Sequence, residues 1–274
     1  MNLKAYKMDG LGNDFVIFDN RKKATHLSKS EILKIADRNF IGCDQLIFIN
    51  KSIDFDAELN FYNSDGGSSP ACGNGTRCVA YFISKEKNKE QIVFKTQSGI
   101  LKSKVLGNKI VETNIGAPKF SWKEIPLKKE TDNTNLGITI SGRDGISLTG
   151  GYALSVGNPH LIFFVNKIEN FDLSKIGPEL EVHPIFPKKC NVTLAEIINN
   201  KLIKVKVWER GAGMTKACGT AACATAVAAF KKKLVQDIVD IQFELGVITI
   251  TIDKNHSIHM KGEVSEIKEI DIKI

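Results

Sequence analysis

Ala71-Cys72-Gly73-Asn74-Gly75-Thr76 returns 146 residues later as Ala217-Cys218-Gly219-Thr220-Ala221-Ala222. In each copy a cysteine precedes small residues that open a helix. A thiol at a helix N-terminus meets the positive end of the peptide dipoles and unpaired backbone N–H groups, and both favour its thiolate. Two such thiols from two equivalent halves suit one reaction in particular. One takes a proton from one face of a carbon and the other returns a proton to the opposite face.

Working outward, the repeat extends well beyond the cysteines. At an offset of 145 to 146 residues, Gly12-Asn13-Asp14-Phe15-Val16-Ile17-Phe18 falls on Gly157-Asn158-Pro159-His160-Leu161-Ile162-Phe163. Gln45 falls on Asn191, Phe61-Tyr62-Asn63-Ser64 on Val207-Trp208-Glu209-Arg210, and Gly67 on Gly213. Order and spacing hold in both halves, which is the signature of a duplication. A purely structural repeat retains mainly its apolar and glycine positions. This one also pairs amides and acids: Asn13 with Asn158, Gln45 with Asn191, and Asn63 with Glu209. They form one candidate site with the thiols.

Short strands alternate with few helices. Leu3–Met8 and Asp14–Asp19 read as a hairpin. Ser28 with Glu31 three residues on, followed by Ile32, Leu33, Ile35 and Ala36, reads as a capping box and a helix. Strands follow at Leu46–Asn50 and Ala57–Tyr62, then a helix over 74–87 and a meander over 91–114. Residues 115–145 are rich in Lys, Asn, Thr, Gly and Pro and read as a crossover. The second half repeats the scheme, with a helix from Cys218 to about Leu234 and four closing strands. The helix after Cys218 is apolar nearly all round, so it is expected to be buried. The expected fold class is α+β, with two pseudo-symmetric lobes, each a mostly antiparallel sheet rolled around a central helix. The expected boundaries are 1–115 for the lobe with Cys72, 116–150 for the crossover and the start of the second lobe, and 151–274 for the lobe with Cys218.

With 274 residues, 42% hydrophobic and 25% charged, the chain has room for two ordinary cores. No apolar run of about 18 residues predicts a membrane span. The N-terminus lacks the apolar segment of a signal peptide, so a cytoplasmic protein is expected. In that compartment the six cysteines are expected to be reduced. Their spacing, Cys72 to Cys78 and Cys218 to Cys223, is not that of a metal site. The net charge of +7 comes from scattered lysines without a basic aromatic stripe, so no nucleic-acid partner is expected.

Gly10-Leu11-Gly12-Asn13-Asp14-Phe15, Asp44-Gln45, Asn63 with Asp65-Gly66, Ala71 through Cys78, Gly157-Asn158-Pro159-His160, Trp208 through Gly213 and Ala217-Cys218-Gly219-Thr220 together resemble the diaminopimelate epimerase family. The resemblance runs from residue 7 to about 230. It implies mirrored lobes with the site between them and a homodimer. It also implies a cofactor-independent, metal-free interconversion of LL- and meso-2,6-diaminopimelate, in lysine and peptidoglycan-precursor synthesis. Cys72 and Cys218 would be the acid–base pair. Asn13, Gln45, Asn63, Asn158, Asn191, Glu209 and Arg210 would contact substrate, with Arg210 on the distal carboxylate and Glu209 on an ammonium group. The backbone N–H groups of Gly73, Asn74, Gly219 and Thr220 would hold the α-carboxylate, and His160 is an auxiliary candidate for biasing the thiols. The chain departs from the family pattern at Ser68-Ser69-Pro70, at Thr193 of Asn191-Val192-Thr193, and at Met214; none is a catalytic position.

Two other readings use the same residues. One is an epimerase or racemase of a different amino acid on the same scaffold. The other is a redox module in which Cys72 and Cys218 form a reversible disulfide, since low-pKa thiols oxidise readily. Protection of the thiols from alkylation by diaminopimelate separates the second from an epimerase.

Overall fold

In a computed structural model, residues 2–274 are described. The chain divides into two compact units, 1–114 with 261–274, and 115–260.

The first unit begins with the expected hairpin, β1 (Asn2–Gly10) against β2 (Asn13–Asp19). Its two-residue turn, Leu11-Gly12, has both φ angles positive, 57° and 78°. That is the primed turn whose twist matches paired strands, and it ends with Asn13 at the base of β2. The helix α1 (Lys29–Ala36) carries the capping box, with the Ser28 side chain accepting from the Glu31 N–H and the Glu31 carboxylate accepting from the Ser28 N–H. Next come β3 (Gln45–Asn50), β4 (Ala57–Asn63), the short β5 (Ser68–Ser69) and α2 (Gly73–Lys87). The meander β6 (Gln91–Thr96), β7 (Gly99–Val105) and β8 (Ile110–Gly116) follows as read. Helix α2 packs against β1, β2, β6 and β7, so the sheet wraps it. Val79, Ala80, Ile83 and Cys78 are buried there among Phe15, Ile47, Phe61 and Phe94.

The second unit contains the hairpin β9 (Ile138–Ser141) and β10 (Ser147–Gly150), then β11 (Tyr152–Ser155), β12 (Pro159–Val165) and α3 (Leu173–Glu181). It continues with β13 (Asn191–Asn199), β14 (Leu202–Glu209), β15 (Gly213–Thr215), α4 (Gly219–Lys231), β16 (Ile238–Phe243), β17 (Gly246–Ile252) and the first half of β18 (Ile258–Glu263), whose residues from 261 on belong to the first unit. Helix α4 packs against β11, β12, β13, β16 and β17. Its alanines at 221, 222, 224, 226, 228 and 229 are all buried, as an all-round apolar helix requires.

The duplication is visible in strand register. Phe15 pairs with Gln45 and His160 with Asn191; Leu46 pairs with Tyr62 and Val192 with Trp208; Phe61 pairs with Ser69 and Val207 with Thr215. These partners stand at the same offsets that align the cysteines.

Three expectations differ from what is observed. The C-terminal segment was read as part of the second lobe, but the strand Lys268–Lys273 pairs antiparallel with β1, from Asn2↔Lys273 to Lys7↔Lys268. Residues 261–274 therefore belong to the first unit. The polar stretch 115–145 is more than a crossover, because Ile125, Leu127, Ile138 and Ile140 are buried in the core of the second unit. Helix α4 ends at Lys231, about one turn before Leu234, which is exposed.

Candidate functional site

The thiol-bearing residues are true helix N-caps. Cys72 has φ −142°, ψ 115° and Cys218 has φ −135°, ψ 112°, the extended geometry that ends a loop and leaves the first helical N–H groups unpaired. Asn13, Gln45 and Asn63 stand at the ends of β2, β3 and β4, and Asn13 meets the Cys72 thiol. Asn158 precedes β12 and meets Thr220, while Asn191 and Glu209 stand at the ends of β13 and β14, with Glu209 acting on Cys218.

In the first unit the Cys72 sulfur accepts from the Gly75 N–H at 3.4 Å. Its thiol also donates to Asn13 Oδ1 at 3.9 Å, which receives Asn74 Nδ2 at 3.2 Å. Asn13 Nδ2 in turn donates to Asp44 Oδ2 at 2.8 Å. Asp44 is fixed by the backbone N–H of Asp14 and by Arg38 Nη2 at 2.6 Å. Gln45 Nε2 donates to Asn63 Oδ1 at 2.7 Å. Two buried acceptors here, Gln45 Oε1 and Asn74 Oδ1, have no hydrogen-bond partner among the described residues. Buried acceptors of this kind require an explanation, and a ligand donor is one.

In the second unit Cys218 lies 3.4 Å from Thr220 Oγ1. Asn158 Nδ2 donates to Thr220 Oγ1 at 3.4 Å, and Asn158 Oδ1 is 2.9 Å from His160 Nε2. His160 is fully buried, and burial pushes its pKa down to about 3, with Arg210 adding to the effect, so the ring is neutral. Asn191 uses both ends of its amide on backbone: Nδ2 donates to the Pro159 carbonyl at 3.1 Å, and Oδ1 accepts from the Arg210 N–H at 3.0 Å. Arg210 Nη1 donates to the Lys188 carbonyl at 3.0 Å.

The sequence argument gave both thiols a helix-dipole bias toward thiolate. At Cys218 that bias is outweighed. Burial pushes the Cys218 thiol well above its ordinary range, and the neighbouring Glu209 carboxylate pushes the same way. The Thr220 hydroxyl and the Ala221 backbone N–H pull it back only in part. Burial and Glu209 therefore both favour the protonated form of Cys218. Cys43, Cys78 and Cys190 are buried, and burial raises all three, Cys43 to about 12. They are unreactive packing residues. Among the described residues no three His, Cys, Asp or Glu side chains are grouped as metal ligands would be.

Asp44 and Thr220 acquire parts that sequence alone did not give them. Asp44 sits in the Asp44-Gln45 motif, but its grip on Asn13 depends on β2 and β3 running parallel. Thr220 was expected to act through its backbone N–H, whereas its hydroxyl is what meets the sulfur.

The family model described as diaminopimelate epimerase matches residues 5–121 and 152–267. The chain belongs to the diaminopimelate epimerase family. A Pelagibacter ubique protein named diaminopimelate epimerase is 62% identical over 274 residues, covering 100% of both chains. A Caulobacter sp. protein of the same name is 40% identical over 254 residues, covering 89% of this chain and 88% of its own. Among solved structures, a Bacillus anthracis phenazine biosynthesis protein of the PhzF family superposes with TM-score 0.71 at 16% identity, covering 100% of both chains. An Agrobacterium vitis hydroxyproline epimerase gives TM-score 0.66 at 11% identity, covering 99% of this chain and 91% of its own. Those two share the fold. The whole-chain identity to family members does not favour an epimerase of another amino acid. No helix among the described residues is long and apolar enough to cross a membrane. The positions that depart from the family pattern lie in and just after β5, at the buried Thr193 of β13, and in β15, where Met214 is half exposed.

Proposed function

We propose that the protein interconverts LL- and meso-2,6-diaminopimelate by two-base proton transfer between Cys72 and Cys218. The observation that carries this reading is the pair of cysteine N-caps at matching registers in a member of this family. One sulfur begins as thiolate and takes the α-hydrogen as a proton. The electron pair left on carbon delocalises into the α-carboxylate. The other sulfur, still a thiol, delivers its proton to the opposite face. One proton has entered the protein and one has left, so the two sulfurs have exchanged charge states. The protonated state of Cys218 suits it to deliver a proton first.

The α-carboxylate gains charge as the C–H bond breaks. The N–H groups of Gly73, Asn74, Gly219 and Thr220, at the two helix starts, are the donors for it. Removing one such donor typically raises a barrier by about 2.7–4 kcal/mol. In this proposal the unsatisfied Gln45 Oε1 and Asn74 Oδ1 accept from a substrate ammonium group. Asn13, Asn63, Asn158, Asn191 and Glu209 complete the contacts, and the remaining N–H groups of Arg210 take the distal carboxylate. His160 acts on a thiol from behind this layer. A homodimer and a cytoplasmic location belong to the same proposal and rest on the family resemblance; light scattering on the purified protein tests the dimer.

The test is incubation of LL-diaminopimelate with reduced protein in deuterated water. Meso product carrying deuterium at the inverted α-carbon is expected. A folded, reduced protein that neither exchanges nor inverts this substrate overturns the proposal.

A further inference from the structure

Helices α1 and α3 hold the same place in the repeat, between β2 and β3 and between β12 and β13. Their ends carry opposite charges. Just past α1, Arg38 donates to the carboxylates of Asp14 and Asp44. The last residue of α3 is Glu181, which is buried. A carboxylate at a helix C-terminus faces the negative end of the peptide dipoles, so its own helix gives it no support. Its partners lie on other segments. Trp208 Nε1 donates to Oε2 at 2.7 Å, the Gly211 N–H to Oε1 at 3.2 Å, and Lys189 Nζ to Oε1 at 3.3 Å. Burial pushes the Glu181 carboxyl up, but these three donors hold it below the ordinary carboxylate range.

The three donors bracket Arg210. Trp208 and Gly211 stand on either side of Glu209-Arg210 in the chain, and Gly211 turns it with φ +78°. The Trp208 ring lies on α3 at Gly177, where a Cβ would stand 2.7 Å from the indole. Ring packing and the indole N–H together fix the end of β14. Lys189 belongs to the segment that leads into β13. Its backbone is left-handed, φ +59°, which is uncommon for a residue with a side chain. The neighbours of Lys189 meet Arg210 directly. The Lys188 carbonyl accepts from Arg210 Nη1, and Asn191 Oδ1 accepts from the Arg210 N–H. One carboxylate thus ties together the two segments that frame the arginine, and its ion pair is made with Lys189.

We propose that Glu181 is a positioning residue, acting through Trp208, Gly211 and Lys189 to set the Arg210 guanidinium for the distal carboxylate of the substrate. The inference deepens the diaminopimelate reading and rests on it for the ligand. It makes Glu181 a determinant of specificity. A second carboxylate on the ligand gains affinity only where the guanidinium fork is held in register with it. Glutamine cannot stand in for Glu181. Both oxygens accept from donors, and an amide NH2 would face one of them.

The test compares two ligands, meso-diaminopimelate and L-lysine, which is diaminopimelate without its distal carboxyl group. Calorimetric dissociation constants are measured in the Cys72→Ser/Cys218→Ser background, which removes both proton carriers. Adding Glu181→Gln is expected to weaken diaminopimelate about tenfold and to leave lysine unchanged. Equal weakening of both ligands, as a general loss of structure would give, overturns the proposal, and so does no weakening of either. Trp208→Phe keeps a ring on Gly177 and removes the indole N–H. It is expected to lower the preference for diaminopimelate by a smaller factor. Should Glu181→Gln fail to fold, an unchanged preference in Trp208→Phe overturns the proposal. A second readout needs no ligand. The chain has two tryptophans, so the Trp208 indole N–H is assigned by its loss in Trp208→Phe. Its exchange in deuterated water is expected to be slow in wild type and fast in Glu181→Gln; equal exchange in the two means that Glu181 does not hold the turn. Slow then fast exchange, in a protein that does not prefer diaminopimelate to lysine, rejects the substrate and leaves the positioning role standing.

Discussion

Both sulfurs meet a backbone N–H, of Gly75 at Cys72 and of Ala221 at Cys218, but Cys72 faces the oxygen of Asn13, whereas Cys218 meets the Thr220 hydroxyl and the Glu209 carboxylate. The backbones are near-copies: two N-caps within a few degrees of each other and three strand pairs in matching register. The side chains that set the charge on sulfur have diverged. Asn63 became Glu209 at the same offset, and Asn74 became Thr220. Duplication supplied two equivalent cysteine N-caps, and at Cys218 burial and the diverged Glu209 carboxylate raise the thiol's pKa. An enzyme that inverts a centre needs that inequality, since two thiols or two thiolates cannot pass one proton through.

The largest expected effect tests whether both halves take part. Cys72→Ser and Cys218→Ser should each lower epimerisation by roughly 10²–10⁴-fold, the usual range for a positioned acid or base. Steady-state inversion of LL-diaminopimelate measures it. A wild-type rate in either single variant would mean that only one half carries the chemistry, and the comparison would lose its functional meaning.

A second test concerns the buried imidazole, which has no counterpart in the first unit, where Phe15 occupies the matching position. The His160 pKa falls from the ordinary 6.5 to about 3 on folding. Above pH 6.5 the ring is neutral in both folded and unfolded chains and contributes no pH dependence. Below it the unfolded chain binds a proton that the folded chain refuses, so stability falls as pH drops from 6.5 toward 3. One such group gives a slope of up to about 1.4 kcal/mol per pH unit. Urea denaturation of wild type and His160→Phe at pH 7 and pH 5 is expected to show a steeper acid loss in wild type. Equal slopes would mean the ring takes up a proton in place.

How much of this was legible in the sequence follows from where the information sits. The cysteines, their helices, the strand pairs and the polar partners were readable because duplication wrote them twice at one offset. Lys268–Lys273 was misplaced because strand pairing at a separation of more than 260 residues leaves no local trace; only β1 and its edge specify it. Residues 115–145 look like a linker because their apolar residues, Ile125 and Leu127 among them, are isolated between polar ones and show no period. Asp44 and the Thr220 hydroxyl were assigned no such part because each acts through a neighbour on another element. Which thiol is held protonated was not legible because the dipole argument is local, while the burial and the Glu209 carboxylate that raise Cys218 come from tertiary packing.

The smallest expected effect lies one turn into each helix, where the copies exchange glycine for alanine. A Cβ on Gly75 would stand 2.7 Å from Ile47 Cδ1 and 3.2 Å from Phe61 Cε1, inside a cluster in which both residues are buried. Gly75→Ala should therefore cost about 1–3 kcal/mol through overpacking, partly offset by alanine's helix preference of up to about 1 kcal/mol. The reciprocal Ala221→Gly removes a buried methyl and loosens the helix start, an expected loss of about 1 kcal/mol. Both costs come from packing on a shared backbone, so swapping the two residues cannot bring back what either loses. The double variant Gly75→Ala/Ala221→Gly should show the sum of the single losses in urea denaturation, because the substitutions lie in separate units with separate cores. A double variant more stable than the sum would mean that the two helix starts are energetically linked, and that the halves are less independent than their separate cores imply.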